Sequence, residues 1–242
     1  MSTAPAAPVD LTEVLNVEAA WFDHAPVTVD RSAVPAASQR GFQKILDETI
    51  AELCGAPGGG TIKMALDRDT LRFDITDPSY IDGYNSVSVR RDAAGDHLFL
   101  NLIHLKKDAP AGMGAAMLWR MARACESLNL AYIRCRAVGG INMPALANGD
   151  RVMGYYAWPR YGFDGPVIVT DADQEVADLF PYFPEGLTDG SVATLSQLFG
   201  TKGGPQYWLV AGDERDLTFE VAASSRSVIT LHRYLNEKEF FA

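Results

Sequence analysis

The chain's 242 residues are 48% hydrophobic and 21% charged, the proportions of a globular protein long enough to bury a sizeable core. Its 21 basic residues face 31 acidic ones, a formal net charge of −10, which speaks against nonspecific nucleic-acid binding and favours a cationic substrate such as an amine or a basic peptide. No apolar run approaches the ~20 residues of a membrane helix, the opening Met1 to Asp10 reads without a secretory signal, and three widely spaced cysteines (Cys54, Cys125, Cys135) make neither a disulfide framework nor a zinc site, an expectation that suits a reducing cytoplasm.

Residues 1–37 are rich in Ala, Pro and Val and read as an irregular segment, with a short helix over Leu11 to Trp21. From Gln39, Phe42, Ile45, Leu46, Ile50 and Leu53 recur at helical spacing, with Ser38 as cap and Gly55 as stop. Two hairpins follow. Thr61 to Leu66 and Thr70 to Thr76 flank Asp67-Arg68-Asp69, and Val87 to Arg91 and His97 to Leu105 flank Asp92 to Asp96. The last of these strands, HLFLNLIHL, is nearly all apolar, the habit of a strand buried on both faces. A long helix over Met113 to Asn129 carries Met117, Leu118, Met121, Cys125 and Leu128 on one face. Ala131 to Val138 reads as a strand, and Asp150 as the cap of a helix through Tyr156 that Pro159 disturbs. Beyond it come a strand at Pro166 to Thr170, a helical turn at Glu175 to Phe180, a loop at Pro181 to Gly190 and a helix at Ser191 to Phe199. Strands at Tyr207 to Val210 and Leu217 to Val221 and a helix beginning at Ser227 complete the chain.

The chemistry concentrates where the buried strand runs through Lys106 and Lys107 into Gly112-Met113-Gly114 and the long helix. Glycines there let backbone approach a ligand closely, and the free N–H groups of a helix start attract phosphate. The segment Ala109-Pro110-Ala111-Gly112-Met113-Gly114-Ala115-Ala116-Met117-Leu118, followed some 45 residues later by Trp158-Pro159-Arg160-Tyr161-Gly162-Phe163, resembles the core of the GCN5-related N-acetyltransferase family between about His97 and Phe163. The resemblance implies an α/β fold of the α+β kind: a mixed, mostly antiparallel sheet flanked by helices over residues 38–170, with residues 171–242 as an α/β extension. It also implies that the strands Leu98 to Leu105 and Tyr132 to Val138 are adjacent and parallel.

By the same resemblance, coenzyme A is the co-substrate. Its diphosphate would lie on Ala111, Gly112, Met113, Gly114 and Ala115, and its pantetheine arm along Leu102, Ile103 and His104. The family's Arg or Gln position is Ala109 here, so Lys106 and Lys107 are the candidates to replace that charge. The family's usual proton donor falls on Trp158, which cannot serve. Tyr155, one helical turn earlier, is the first substitute and Tyr156 the second. His104 is the candidate general base, since a neutral imidazole suits proton removal from an ammonium, with a hydrogen-bonded core histidine as the competing reading. Arg134 and Arg136 alternate on the next strand and are read as partners of neighbouring acids or of a ligand anion, and no metal site is expected.

The expected activity is transfer of an acyl group, acetyl first, from acyl-CoA to an amine of a small molecule or a peptide or protein lysine. No nucleic acid or membrane partner is expected. The C-terminal region, with Pro181-Tyr182-Phe183-Pro184, is the expected surface for a homodimer or other contact. The alternative is a non-catalytic binding module on the same fold.

Overall fold

A computed structural model describes residues 7–35, 38, 39, 41–68, 70–143, 152–167, 184–187 and 189–241. The strands β1 (Thr28–Asp30), β2 (Thr61–Asp67), β3 (Thr70–Thr76), β4 (Asn85–Asp92), β5 (Gly95–Leu102), β6 (Tyr132–Gly140) and β7 (Asp213–Glu220) form one seven-stranded mixed sheet in sequence order. β1 pairs with β2 in parallel, and β2 to β5 form an antiparallel meander. β5 and β6 are neighbours, as expected for two strands joined by a long helix. The chain divides into two compact units, Met1–Arg134 with Glu220–Ala242, and Cys135–Phe219.

In the first unit, strand alternation builds the core. Leu71, Phe73 and Ile75 of β3 are fully buried while Arg72 and Asp74 between them are not, and the register sets Phe73 between Met64 and Val87. Burial of each such side chain contributes about 1.5–3 kcal/mol. Helices α2 (Asp47–Leu53) and α3 (Met113–Ser127) pack together, and α3 also packs on α7 (Arg226–Glu237). Among the described residues, no helix is long and apolar enough to cross a membrane.

A buried ion network ties the N-terminal segment to α3. Glu18, in the short helix α1 (Glu18–Trp21), is 2% exposed and accepts from Arg120 at 2.7 Å and from Arg123 at 2.7 Å. Asp23 and Glu52 complete the set. Burial raises the Glu18 pKa, but the Arg123 hydrogen bond, the Leu15 N–H and the two guanidinium charges outweigh it and hold the carboxyl below its ordinary value.

Several expectations change. The helix over residues 42–53 is broken: Phe42–Lys44 is a 3₁₀ turn, Ile45 and Leu46 are extended, and α2 starts only at Asp47, whose carboxylate meets Arg31 at 2.5 Å. Of Leu11 to Trp21, only Glu18–Trp21 is helical. The strand expected to run to Leu105 ends at Leu102, and Asn101, Leu102 and His104 are exposed, so its second half is not buried on both faces. All three cysteines are buried, and burial pushes each thiol above its ordinary range.

In the second unit, α4 (Gly154–Arg160) begins after Met153 and runs through Pro159, whose missing N–H would have met the Tyr155 carbonyl; that carbonyl accepts from Trp208 Nε1 at 2.9 Å instead. The expected cap Asp150 lies outside the described residues, as do most of the strand Pro166 to Thr170, the turn Glu175 to Phe180 and Pro181 to Phe183. The helix α5 (Leu195–Phe199) is shorter than expected because Thr194 and Gln197 form a capping box. Tyr207 to Val210, expected as a strand, is the middle of a helix, α6 (Gly204–Ala211). The expected turn at Gly212 to Arg215 is instead the start of β7, which runs Asp213–Glu220.

Candidate functional site

In the first unit, the candidate site is the exit of β5 and the start of α3. Beyond Leu102 the chain leaves the β4 ladder and is held by the β3–β4 connection. The His104 N–H donates to Asn85 Oδ1 at 2.6 Å, the Asp82 N–H donates to the His104 carbonyl at 3.1 Å, and the Lys106 N–H donates to the Tyr80 carbonyl at 2.9 Å. These bonds and the Ile81–Leu105 bridge fix one edge of the segment. In an extended chain the alternate residues Ile103 and Leu105 direct their backbone groups to the other edge.

Asn85 is 0% exposed, and its Nδ2 has no partner among the described residues. It sits on the core face of β4 with Val87 and Val89, so its retention there is explained by the bond it accepts from His104. The His104 imidazole is half exposed and lies 3.8 Å from Asp82. The reading of a buried core histidine does not hold; a side chain on the open end of the strand does. The Lys106 ammonium is engaged by the Pro78 carbonyl at 2.5 Å, and Lys107 is exposed. The carbonyl restrains the Lys106 ammonium without neutralising its charge.

The turn into α3 is built on Gly112, whose φ of 88° lies in the left-handed region that favours glycine. A Cβ on Gly112 would lie 2.5 Å from Phe240 Cζ, so the aromatic ring also demands glycine there. Gly114 is different, since its added Cβ would meet only Leu105 Cδ1, at 3.9 Å. The N–H groups of Met113 and Ala115 are engaged by the carbonyls of Pro110 and Gly112, and both side chains are buried. Among the described residues, the Gly114 N–H has no hydrogen-bond partner. The five-residue anion cradle expected from sequence therefore narrows, with Gly114 as its clearest donor and exposed Ala111 beside it.

In the second unit, Tyr155 is 6% exposed and its hydroxyl donates to the Leu209 carbonyl at 2.7 Å. Its own carbonyl accepts from Trp208 Nε1 at 2.9 Å, so Tyr155 links α4 to α6. Tyr156 is half-buried, 5.9 Å from the Phe199 ring and beneath the Arg160 guanidinium. Trp158 packs between Tyr161 and Phe163. Arg134 pairs with Asp92, within the first unit, and Arg136 with Glu214 at 2.8 Å and Asp216, within the second, so both arginines have acidic partners.

Sequence reasoning missed Asn85 and Phe240. A polar residue opening the alternating run Asn-Ser-Val-Ser-Val was a visible signal for the first; no local pattern could have matched Phe240 with Gly112. Comparison of the chain with family models, with curated proteins and with solved structures gave no match.

Proposed function

We propose that the protein is an acyltransferase that moves an acyl group, acetyl first, from acyl-CoA to the amine of a small molecule or of a peptide or protein lysine. The observation that carries the proposal is the junction in which β5 leaves its ladder at Leu102 and the chain enters a 15-residue helix through a left-handed Gly112, with the Gly114 N–H available. A helix start with a free donor favours an anionic group, which in acyl-CoA is the diphosphate. Leu102, Ile103 and His104 would then hold the pantetheine arm, with Lys106 and Lys107 supplying positive charge.

Transfer needs an amine nitrogen to attack the thioester carbon, the C–S bond to break as the C–N bond forms, a base to take the ammonium proton and a donor to protonate the thiolate. His104, exposed beside Asp82, is the proposed base. Tyr155 and Tyr156 are the proposed donors, to be ranked by substitution. The net charge of −10 supports a cationic acceptor, and three buried thiols are compatible with the cytoplasm as the place of action.

Internal uses for Gly112 and Lys106 favour the second reading, a non-catalytic module on this fold. Thermal shift with acetyl-CoA and with free CoA separates the two. A ligand at 100 times its Kd stabilises by about 2.7 kcal/mol. A shift with both, followed by acetylation of a panel of amines, supports the enzyme. A shift without transfer to any amine favours the module, and no shift with either ligand removes the acyltransferase reading and leaves the module.

A further inference from the structure

We infer that Phe240 is a positioning residue for the Gly112–Gly114 turn, holding it in the conformation that receives the diphosphate; this rests on the acyl-CoA reading above. Helix α7 ends at Glu237, and the chain turns through Glu239 at a φ of 59°. This is the left-handed position of the Schellman turn that ends α7, closed by the Glu239 N–H on the Asn236 carbonyl at 2.9 Å. Three further bonds hold the segment. The Phe240 N–H donates to the Leu235 carbonyl at 3.0 Å, the Asn16 N–H donates to the Phe240 carbonyl at 2.9 Å, and Asn16 Nδ2 donates to the Glu239 carbonyl at 2.8 Å. The Trp21 ring lies edge-on to the Phe240 ring at 5.7 Å.

The anchored ring meets Gly112 as well as Trp21. The Phe240 ring occupies the space a Gly112 side chain would take, with Cζ and Cε2 2.5 and 2.7 Å from the added Cβ. Phe241, the next residue, lies 5.2 Å from the Trp119 ring of α3 and 4.9 Å from His232, which meets Glu13 at 3.1 Å. Two successive aromatics therefore grip the first turn of α3 and its second turn, while the N-terminal segment holds their backbone. Gly114, two residues into the same turn, is left open. A turn braced on one side and open on the other presents its N–H at a fixed position, which lowers the ordering cost of binding an anion.

The test uses the full chain. Phe240→Ala is expected to weaken acetyl-CoA binding at least tenfold by calorimetric titration, with kcat at saturating acetyl-CoA within twofold of wild type. Phe240→Leu, which fills most of the same space and adds no atom at the ring position nearest Gly112, is expected to restore most of the affinity. Val228→Ala, which opens the buried far end of α7, serves as a control that destabilises without reaching the turn. A second arm needs no cofactor. Gly112→Ala should lower the thermal midpoint in the wild-type background and by distinctly less in Phe240→Ala, because the obstructing ring is gone while the backbone cost of a φ of 88° stays. Equal losses in the two backgrounds overturn the contact. Affinity unchanged in Phe240→Ala, or reduced as much in Val228→Ala, overturns the positioning role. If the coupling is seen but wild type binds no acetyl-CoA, the acyl-CoA reading fails and the assigned role fails with it.

Discussion

Alanine at Gly112 and alanine at Gly114 are expected to shift stability in opposite directions, although the two positions are only two residues apart. At Gly112 the φ of 88° costs an L-residue roughly 1–2 kcal/mol. The new methyl must also displace the Phe240 ring, 2.5 Å from it, and overpacking of this kind costs about 1–3 kcal/mol. The total is ~2–5 kcal/mol, and at about 2–4 °C per kcal/mol for a chain of this size the melting midpoint should fall by ~4–20 °C. At Gly114 the backbone is helical and the nearest atom to the new methyl is 3.9 Å away, so the helix preference of alanine over glycine should add about 0.5–1 kcal/mol. Urea and thermal unfolding of the two variants beside wild type measure both signs. Equal shifts, or a Gly112→Ala protein as stable as wild type, would refute the description of the turn.

Other outcomes follow from the same structure. Tyr155→Phe should cost about 0.5–1.5 kcal/mol for the lost bond to Leu209; a kcat reduced ~10²-fold at unchanged acyl-CoA affinity identifies the proton donor, whereas the stability loss alone assigns Tyr155 to the core. Arg120→Met leaves buried Glu18 with Arg123 as its remaining guanidinium partner and should cost about 3–5 kcal/mol; adding Glu18→Gln should recover part of it, and additive losses would contradict the network. Burial holds the His97 imidazole below its ordinary pKa, so as pH falls through ~6.5 the unfolded chain takes up that proton first and stability declines. Glu18, held below its ordinary value, stabilises above the unfolded carboxyl pKa of 4.5 and loses that contribution as pH falls through its folded value. His97→Gln should flatten the upper limb of the pH–stability curve; an unchanged slope there argues against the buried neutral imidazole.

Local pattern carried most of the first unit. Alternation over Thr70–Thr76 and glycine at the second hairpin are short-range signals, and the structure follows them closely. Where the apolar run was short, period alone could not decide. Tyr207-Trp208-Leu209-Val210 has no polar residue to mark a face, and the informative signal was Gly203-Gly204-Pro205, with proline in the first turn of α6. The break at Ile45 and Leu46 was hidden because both are apolar and in phase, yet Leu46 is 70% exposed and α2 is instead started by acidic residues in its first turn. At the candidate site, the glycine turn was legible from spacing. The hydrogen bond from His104 to Asn85 and the ring over Gly112 join residues distant in sequence, so no local rule could locate them.

The central claim is that the start of α3 receives the diphosphate of acyl-CoA. Calorimetric titration of acetyl-CoA into wild type and Gly114→Asp tests it most directly. The Asp side chain has room beside Leu105, and an acid in the first turn favours the helix, so the variant should melt at or above the wild-type temperature. The same carboxylate stands where the phosphate must sit. The account predicts saturable binding to wild type and at least tenfold weaker binding to the folded variant, a difference of about 1.4 kcal/mol or more. No binding to wild type, or equal affinity in the two proteins, contradicts it.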